Sequence, residues 1–422
     1  MTIRIGAIAD DFTGATDLAV LIRRSGMKVT LVVGVPGQPL SGDPDAIVVA
    51  LKSRNIAPEE AVAQSLAAAS WLRDEAGAER LFFKYCSTFD STDQGNIGPV
   101  ADALGQFVHA PRTIFVPAFP ENGRRMFLGH LFVNGRLLSE SSMANHPLTP
   151  MHDPDIVRVL SRQRPGPVGL IDKQMIERGA IAVRAAFDAS APGSAMVCDA
   201  IDDGDLDVLA EAFSDLPLAT GGSAIGGAIA RRLMTGRVDL PPEFDWPAVG
   251  RVRTLVVSGS GSEMTQRQVE NALANGYFGV KVTADEARSP DALVREVLEQ
   301  LDRAGDRRSI VYATDSAEQV RRTQALLGRE EAGRILEEFF GRLAATAAAS
   351  GYNAFVVAGG ETSGAVVKAL GAMQMSIGPE IATGVPWVRS GDLWMALKSG
   401  NFGDERFFDK AQDMLVAKES PA

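Results

Sequence analysis

The stretch Ile3–Leu18 reads IRIGAIADDFTGATDL and predicts how the N-terminal part of the chain folds. Its apolar beginning is typical of a strand that is buried on both faces, as in a parallel sheet. The TGAT segment supplies a turn and helix-capping oxygens, so a helix is predicted to follow and to run to about Arg24. Gly26 is suited to end that helix. A strand followed at once by a helix is the first unit of an α/β fold.

Two adjacent acids, Asp10 and Asp11, stand at the carboxyl end of this predicted strand. Carboxylates are costly to bury without partners, and open α/β sheets bind ligands at the carboxyl ends of their strands. One interpretation is structural: Asp10 ends the strand, and Asp11 or Thr13 caps the helix. Because the acids form a pair and TGATD follows them, we favour the other interpretation, a site for a polar ligand.

Strand-like and helix-like segments alternate through both halves of the chain. This alternation predicts an α/β protein of two domains with mostly parallel sheets. The proline-rich, aperiodic segment LPPEFDWPAVGRVR predicts a linker at residues 240–253, between a domain at 1–239 and a domain at 254–422. Within the first domain, Asn134-Gly135 lies between LFV and RLL. This pattern predicts a hairpin as a small antiparallel part of the otherwise parallel sheet.

The composition restricts the classes of function. The 422 residues are 45% hydrophobic and 23% charged, which is typical of a globular protein. A net charge of −11, without a long run of Lys or Arg, argues against nucleic acid and anionic membranes as partners. Two distant cysteines, no signal peptide and no spanning segment predict a cytoplasmic protein. The four histidines lack the spacing of a zinc site.

Two turns rich in Gly and Ser follow predicted strands of the second half, SGSGS at 258–262 and GGETSG at 359–364. Glycines let backbone N–H groups approach an anion, and a helix N-terminus adds partial positive charge. Close packing of a strand against a helix needs glycine too, so the turns alone leave both interpretations open. The chain has no GxxxxGK[ST] and no GxGxxG, which argues against a P-loop enzyme and a standard dinucleotide dehydrogenase.

Eleven motifs, taken in chain order, resemble those of the four-carbon acid sugar kinase family. They are IADDFTGATD, ALKSR, FKYCSTFDST, GNIGPVADAL, PAFPENGR, HPLTPM, TGGSAIG, VSGSGS, AGGETSGAV, IGPEIATGVPW and LKSGNFG. They extend from about residue 3 to about residue 415, and KYCSTFDST and GNIGPV are most similar to the 3-oxo-tetronate kinase branch. The resemblance implies an N-terminal acid-sugar domain and a C-terminal nucleotide domain with a cleft between them. It also implies that ATP phosphorylates the terminal 4-hydroxyl of the acid.

The resemblance implies nucleotide contacts at one position after the first strand of the second domain, at one glycine turn, and at a second glycine near the end. These positions are Ser258, then Gly360, Glu361, Thr362 and Ser363, and finally Gly403. All of them carry the residue types that the family has. We expect Mg²⁺ with the ATP because the charge of the transferring group must be neutralised. The sequence does not assign the metal ligands.

The acid sugar needs a group for its carboxylate and groups for its hydroxyls. We expect Arg54 to grip the carboxylate through a bidentate fork, with Lys84 nearby as a point charge. The hydroxyl-rich loop after Lys84 is expected to supply further contacts, from Ser87, Thr88 and Asp90. The structural alternatives are an ordinary salt-bridge arginine at position 54 and a lysine at position 84 whose stem covers apolar surface.

For catalysis we expect Asp10 and Asp11 to accept hydrogen bonds from the hydroxyls of the acid sugar. One of the two acids is expected to orient or deprotonate the attacking hydroxyl, and the sequence does not decide which.

Several alternatives remain at this stage. Within the family, a D-threonate or D-erythronate 4-kinase differs from a 3-oxo-tetronate kinase only in the oxidation state and stereochemistry of the acid. A non-catalytic sensor of sugar acids could keep the same fold, although the complete set of nucleotide motifs argues against it. An oxidoreductase could use a dinucleotide across a two-domain cleft, although the dinucleotide fingerprint is missing. The expected partners are a small sugar acid and ATP, and a homodimer is left open.

Overall fold

The computed structural model describes residues 3–37, 40, 42–145, 149–235, 243–247, 252–314 and 328–416. The chain forms two compact units, Met1–Pro242 and Glu243–Ala422, and each contains helices and a mostly parallel sheet. The predicted linker at 240–253 and the HPLTPM motif lie partly outside the described residues. Among the described residues, no helix has the length and apolar character needed to cross a membrane.

The first unit alternates short strands and helices. Its strands are β1 (Ile5–Ala9), β2 (Val29–Val33), β3 (Ala46–Ala50), β4 (Leu81–Lys84), β5 (Thr113–Phe115), β6 (Arg124–Phe127), β7 (His130–Val133), β8 (Arg136–Leu137), β9 (Val168–Ile171), β10 (Ala195–Cys198) and β11 (Leu218–Gly221). Its helices are α1 (Phe12–Arg24), α2 (Pro58–Ser70), α3 (Ile97–Phe107), α4 (Ile156–Gln163), α5 (Lys173–Glu177), α6 (Ala180–Ala189), α7 (Asp203–Phe213) and α8 (Ser223–Leu233).

The main sheet of the first unit has the strand order β11-β4-β1-β3-β2, and all of its strands are parallel. β1 is central and wholly buried, as its uninterrupted apolar sequence predicts. Its last residue, Ala9, is in register with Ala50 of β3 and with Lys84 of β4. Because parallel strands end at the same edge, the segments after β1, β3 and β4 lie side by side.

α1 and α8 pack closely because α8 carries two adjacent glycines. A Cβ at Gly226 would lie 2.4 Å from Leu18 Cδ1, and a Cβ at Gly227 would lie 2.8 Å from Leu21 Cβ. Either distance is too short for a real contact unless the neighbour moves. Gly226 and Gly227 therefore serve helix packing, whereas a Cβ at Gly221 or Gly222 would meet the carbonyl oxygens of Val116 and Pro117.

The hairpin predicted at Asn134-Gly135 is present, and both residues have positive φ, 51° and 80°. The strands β6, β7 and β8 form their own three-stranded antiparallel sheet, so the prediction that they join the parallel sheet is wrong. β6 and β8 both pair with β7, and Met126 of β6 makes a further bridge with Ala200. A further parallel sheet, with the order β5-β10-β9, was not predicted as separate.

The second unit is built on a sheet that is parallel on one side and antiparallel on the other. Its strands are β12 (Thr254–Ser258), β13 (Phe278–Lys281), β14 (Ser309–Tyr312), β15 (Ala354–Ala358), β16 (Gln374–Ala382), β17 (Val385–Ser390) and β18 (Leu393–Lys398). Its helices are α9 (Glu263–Ala274), α10 (Pro290–Ala304), α11 (Arg329–Ala349), α12 (Gly360–Ala369) and α13 (Phe407–Val416).

The strand order of this second sheet is β16-β17-β18-β15-β12-β14-β13. The strands from β18 to β13 are parallel, and β16, β17 and β18 form an antiparallel meander. β12 is the centre of the parallel part, where its last residue, Ser258, is in register with Ala358 of β15. Ala358 is in turn in register with Lys398 of β18. The turns that follow these three strands therefore lie next to one another.

Candidate functional sites

The first candidate site forms where β1, β3 and β4 end, and its centre is an ion pair between Asp10 and Arg54. Asp10 is 3% exposed. Arg54 donates to both carboxylate oxygens of Asp10, from Nε to Oδ2 at 2.9 Å and from Nη2 to Oδ1 at 2.7 Å. The backbone N–H of Arg54 also donates to the Asp10 carbonyl at 3.2 Å. The sequence analysis expected the bidentate fork of Arg54 to bind the substrate carboxylate. In the structure this fork binds the carboxylate of Asp10.

Asp11 makes two contacts in the fold, a helix cap and an ion pair. Its Oδ1 accepts a hydrogen bond from Gly14 N at 2.8 Å, so it caps α1, as one interpretation of the sequence expected. The same oxygen lies 2.7 Å from Arg54 Nη2. The side chain is 28% exposed, and its Oδ2 has no hydrogen-bond partner among the described residues. Asp11 therefore keeps one acceptor available to a ligand.

The charge state of this pair follows from burial and proximity. Burial alone would lower the pKa of Arg54, but Asp10 and Asp11 together raise it well above its ordinary value. Burial raises the pKa of Asp10, and the fork from Arg54 opposes that rise. The guanidinium is therefore permanently charged, and its Nη1 edge is the part that Asp10 and Asp11 do not occupy.

Asn96 is a positioning residue that the sequence analysis did not select. Its Nδ2 lies within hydrogen-bond distance of three carbonyl oxygens of the segment after β3, those of Ser53 (2.8 Å), Arg54 (3.3 Å) and Ile56 (3.2 Å). Asn96 is itself buried and directly precedes α3. It therefore holds the backbone of Arg54 in place. Because the contact joins residues about forty positions apart, no local pattern could have revealed it.

Lys84 lies beside the turn that starts α1, which explains why Gly14 is a glycine. A Cβ at position 14 would come within 2.5 Å of Asp11 Oδ1 and 2.8 Å of Lys84 Nζ. Lys84 is buried, and its Nζ donates to the Tyr85 carbonyl at 2.8 Å. The lysine is therefore an internal charge near the acid pair, and its burial excludes the surface-covering alternative.

The loop after β4 presents Ser87, Thr88 and Asp90 in a fixed conformation. Thr88 Oγ1 donates to Asp90 Oδ1 at 2.5 Å, and Asp90 Oδ2 lies 3.8 Å from Arg54 Nη1. Phe89 has a φ of 53°, in the left-handed region that is unfavourable for a bulky residue. Its ring is buried edge-to-face against Tyr85, which holds the strained backbone. Ser87 is half-buried at the start of the same loop.

The second candidate site forms where β12, β15 and β18 end in the second unit. Ser258 ends β12, and its hydroxyl shares a buried hydrogen bond of 2.7 Å with Thr314. The turn that follows must be close to α12, since a Cβ at Gly259 would lie 2.2 Å from Thr362 Oγ1. The Ser258 hydroxyl therefore faces the interior, and the turn after it packs against α12.

α12 begins at Gly360 directly after β15, and its N-cap, Gly359, has a φ of 122°. Gly360 and Glu361 are exposed, whereas Thr362 and Ser363 are buried. Ser363 Oγ has no hydrogen-bond partner among the described residues. The first turn of a helix leaves backbone N–H groups unpaired, so this turn suits an anion.

Gly403 lies in a turn between β18 and α13. Its φ of 75° favours glycine, and a Cβ there would lie 2.7 Å from Phe407 Cδ2. Gln268 of α9 donates to the carbonyls on both sides of Gly403, those of Phe402 at 3.1 Å and Asp404 at 2.9 Å. The sequence analysis did not assign a role to Gln268, because only the tertiary structure brings α9 to this turn.

The described residues contain no cluster of three or more His, Cys, Asp or Glu that could hold a metal ion. Mg²⁺ in phosphoryl-transfer sites keeps several waters and takes its protein ligands from one or two carboxylates, with phosphate oxygens completing the shell. Glu361 lies in the first turn of α12, is exposed, and could supply such a carboxylate. The second site therefore fits a nucleotide that brings its own metal.

Comparison with protein families identifies two domains in this chain. Residues 5–229 match the model of a sugar-binding N-terminal domain, and residues 255–408 match that of a nucleotide-binding C-terminal domain. The two matched regions contain the first and the second candidate site, respectively.

Curated relatives are similar over nearly the whole chain. A 3-oxo-tetronate kinase from Burkholderia multivorans is 47% identical over 415 residues, covering 96% of both chains. A 3-oxo-tetronate kinase from Cupriavidus necator is 46% identical over 427 residues, covering 97% of both chains.

Solved structures agree with this fold. A protein from Salmonella typhimurium LT2, provisionally described as a tRNA synthase, has a TM-score of 0.88 and 39% identity and covers 98% of this chain and 100% of its own. A Haemophilus influenzae protein has a TM-score of 0.80 and 42% identity and covers 97% of this chain and 100% of its own.

Proposed function

This chain belongs to the four-carbon acid sugar kinase family, and from that premise we propose that it is an ATP-dependent kinase that phosphorylates the 4-hydroxyl of 3-oxo-tetronate. The observation that carries the proposal is the similarity to curated 3-oxo-tetronate kinases over nearly the full length of both chains. The two sites support it, because one offers charged and hydroxyl groups to a sugar acid and the other offers backbone amides to phosphates.

Arg54, Lys84 and the 87–90 loop bind the acid sugar in this proposal. The Nη1 edge of Arg54 is left for the substrate carboxylate, since Nε and Nη2 are engaged by Asp10 and Asp11 and the nearest other carboxylate oxygen, Asp90 Oδ2, is 3.8 Å from Nη1. Lys84 adds a second positive charge. Ser87, Thr88 and Asp90 hydrogen-bond the hydroxyls and the carbonyl of the sugar acid. Asp10 acts on the substrate through Arg54, whose orientation it fixes.

Asp11 is the better candidate for the catalytic base. Its Oδ2 has no hydrogen-bond partner among the described residues and its side chain is 28% exposed, whereas both oxygens of Asp10 are held by Arg54. A catalytic Asp in a kinase accepts the proton of the attacking hydroxyl as the bond to phosphorus forms. Asp11 Oδ2 would take that proton from the 4-hydroxyl, and the second oxygen would stay on Gly14 N.

The nucleotide is held in the second unit by backbone groups. In this proposal the N–H groups of Gly360 and Glu361, for which the described part of the chain supplies no acceptor, face the phosphates together with the turn at Gly403. The buried Thr362 and Ser363 follow in the same helical turn. Ser258 contributes from the end of β12 and keeps the neighbouring turn in place through Thr314. Mg²⁺ would neutralise the charge that develops on the transferring phosphoryl group.

The proposal includes the partners of the protein, its cellular compartment and its oligomeric state. Its partners are the sugar acid and ATP, and transfer requires the 4-hydroxyl to come within bonding reach of the terminal phosphate. We place the protein in the cytoplasm, where ATP is available and the free thiols of Cys86 and Cys198 stay reduced. A homodimer is compatible with this function, and light scattering of the purified protein would establish the oligomeric state.

A coupled assay of ADP release tests the function. The 3-oxo-tetronates are made in the cuvette by a dehydrogenase and compared with D-threonate, D-erythronate and L-threonate at equal concentrations. We expect the highest kcat/KM with a 3-oxo acid. A higher value with D-threonate or D-erythronate would assign the chain to another branch of the family.

Two further outcomes separate the rival classes. Binding of sugar acids without any ADP release would indicate a sensor, and reduction of NAD⁺ by the purified protein would indicate an oxidoreductase. Either result would contradict the proposed kinase.

A further inference from the structure

Lys398 is a completely buried lysine at the edge of the nucleotide site, and the reaction described above does not use it. It is the last residue of β18, in register with Ala358 of β15, and its exposed fraction is 0%. Its carbonyl accepts a hydrogen bond from Gly359 N at 2.9 Å, directly before the start of α12. The side chain therefore lies beneath the turns that precede and follow it.

The ammonium group of Lys398 has only neutral hydrogen-bond partners. Nζ donates to Thr265 Oγ1 at 3.0 Å, to the Ser399 carbonyl at 3.0 Å and to the Gly400 carbonyl at 2.9 Å. The ring of Phe407 has its centroid 5.9 Å away. All three protons of an ammonium are thus directed to acceptors, and none of these acceptors carries a charge.

Among the described residues, no carboxylate lies within 4.0 Å of this ammonium group. The acids on the elements around it are engaged elsewhere or exposed to solvent: Glu263 pairs with Arg267, Asp404 with Lys410, Asp409 with Tyr277, and Glu361 and Glu405 are exposed. Arg406, the nearby basic residue, is exposed too. A buried charge without a counterion is costly, so its presence at a site for anions needs an explanation.

Lys398 belongs to a group of three buried donors that hold the turn from Ser399 to Asp404. Thr265 Oγ1 donates to the Gly400 carbonyl at 2.7 Å, and Gln268 Nε2 donates to the carbonyls of Phe402 and Asp404. Lys398, Thr265 and Gln268 are all fully buried. Four carbonyls of the turn therefore point into the second unit, those of Ser399, Gly400, Phe402 and Asp404.

The amides of this turn remain available because its carbonyls point inward. Within the described part of the chain, the N–H groups of Gly400, Asn401 and Gly403 make no hydrogen bond. A Cβ at Gly400 would lie 2.6 Å from Ser260 Oγ, so this turn is in contact with the turn after β12. Unpaired amides gathered beside a helix N-terminus are an arrangement that binds phosphate.

We propose that Lys398 is a positioning residue of the nucleotide site, which keeps the amides of the 400–403 turn directed at the phosphates and supplies a buried positive charge that the phosphates neutralise. This inference rests on the proposed function, because it assumes that the second unit binds a nucleotide. It assigns to this residue a role in nucleotide affinity and leaves recognition of the sugar acid to the first unit.

The protonation state of Lys398 should change when the nucleotide binds, and this change can be measured. Burial lowers the pKa of Lys398 to about 7, so near neutral pH about half of the free protein carries the uncharged amine. Phosphates that bind nearby favour the charged form and raise this pKa again. Nucleotide binding near pH 7 is therefore coupled to the uptake of about half a proton by this side chain.

Isothermal titration calorimetry with a non-hydrolysable ATP analogue and excess Mg²⁺ tests the inference. Titrations at pH 7 in two buffers of different ionisation enthalpy give the number of protons taken up per nucleotide. The variant Lys398→Met keeps an unbranched side chain that is one atom shorter and removes the charge. We expect it to bind at least about tenfold more weakly and to take up about half a proton less than the wild type.

Two further variants separate the contributions. Lys368→Met removes an exposed lysine of α12 and should match the wild type in affinity and proton uptake. Thr265→Val keeps the Lys398 charge and removes the hydrogen bond from Thr265 to the Gly400 carbonyl. Affinity for the nucleotide should therefore fall while proton uptake persists. In the coupled assay, Lys398→Met should raise KM for ATP and leave KM for the sugar acid unchanged.

The possible results each decide the matter. Wild-type affinity and unchanged proton uptake in Lys398→Met would overturn the inference while leaving the kinase intact. Should that variant fail to fold, the absence of proton uptake in the wild type would overturn it equally. If the wild type binds no nucleotide, the proposed function fails and this inference falls with it.

Discussion

The adjacent acids Asp10 and Asp11 differ in sequence position by one residue, yet the fold gives them different environments. Asp10 is buried with both oxygens on Arg54, whereas Asp11 is partly exposed and one of its oxygens finds no partner in the part of the chain that the structure describes. The sequence predicted that the pair forms a polar site because two carboxylates end a buried strand. It could not distinguish them, because the difference comes from Arg54, more than forty residues away.

Replacement of Asp11 by Asn should reduce kcat by about 10²–10⁴-fold, since the proton acceptor is lost. Asn can still cap α1 through its side-chain oxygen, so the melting temperature should stay near that of the wild type. Steady-state kinetics and calorimetry measure both quantities.

Asp10→Asn is the matched control. It breaks the fork with Arg54, so it should destabilise the protein by about 1–3 kcal/mol and weaken binding of the sugar acid. Near-normal turnover in Asp11→Asn, with the loss confined to Asp10→Asn, would move the catalytic role to Asp10.

Lys398 should make the stability of the protein depend on pH in the alkaline range. Its pKa is about 7 in the folded protein and that of an ordinary lysine, 10.5, in the unfolded chain. Between these values the unfolded state binds more protons, so the contribution of this residue to the free energy of unfolding rises with pH. The rise is at most about 1.4 kcal/mol per pH unit.

Urea unfolding of wild type and Lys398→Met at several pH values between 7 and 10 measures this contribution. The stability of the wild type relative to the variant should increase with pH across this interval, whereas Lys368→Met should run parallel to the wild type. Parallel curves for Lys398→Met and the wild type would show that the residue does not titrate there.

At the scale of elements, close packing of two helices explains a pair of adjacent glycines. Gly226 and Gly227 are adjacent residues of α8. The distances around Gly226 and Gly227 assign them to the contact between α8 and α1. α1 carries the acid pair at its N-terminus, so this packing also fixes the position of the first site.

Gly227→Ala should lower the free energy of unfolding by about 1–3 kcal/mol, because its Cβ would meet Leu21 Cβ at 2.8 Å. Gly333→Ala is a suitable control in the helix α11, since a Cβ there meets nothing within 4 Å. That substitution should stabilise the protein by about 0.5–1 kcal/mol. Denaturant midpoints measure both changes, and an equal effect of the two substitutions would contradict the packing role.

Element prediction was most accurate for buried parallel strands. The strand predicted at the beginning of Ile3–Leu18 is present as β1, and the helix after it ends at Arg24 as predicted, because an apolar run before turn residues leaves few alternatives. The meander β16–β17–β18 was not predicted. It contains Gly378, Pro379, Gly384 and Pro386, and such residues resemble a loop when the neighbouring strands are unknown.

At the scale of the whole molecule, the two units share a strand arrangement. The orders β2-β3-β1-β4 and β13-β14-β12-β15 place the first strand of each unit at the point where the chain changes sides of the sheet. Both candidate sites lie at the carboxyl end of that strand, after Ala9 and at Ser258. Ligands bind at this place in open α/β sheets. The sequence contains no repeat from which the shared strand arrangement could have been predicted.

Ligand-induced thermal shifts should show that the sites lie in separate units. A ligand at about a hundred times its Kd adds about 2.7 kcal/mol to stability, which raises the melting temperature by several degrees. Arg54→Ala should lose the shift caused by the sugar acid and keep the shift caused by ATP.

Gly403→Ala should lose the thermal shift caused by ATP and keep the shift caused by the sugar acid. The positive φ of Gly403 and its contact with Phe407 disfavour a Cβ, so the substitution should disturb the turn at the nucleotide site. Differential scanning fluorimetry with each ligand alone measures the shifts. Loss of both shifts in both variants would contradict the assignment of the two ligands to different units.

The sequence by itself determined the α/β class, the strands that end in the two sites, and the family. These features depend on local periodicity, on turn residues and on motifs that can be read in order along the chain.

Only the tertiary structure decided which groups are still available to a ligand. It showed that Asp10 occupies the fork of Arg54, that Asn96 and Gln268 hold the turns of the two candidate sites, and that Lys398 is a buried lysine. The physical reason is that burial and hydrogen bonding between distant segments set the charge and orientation of a side chain, and neither is encoded in its sequence neighbours.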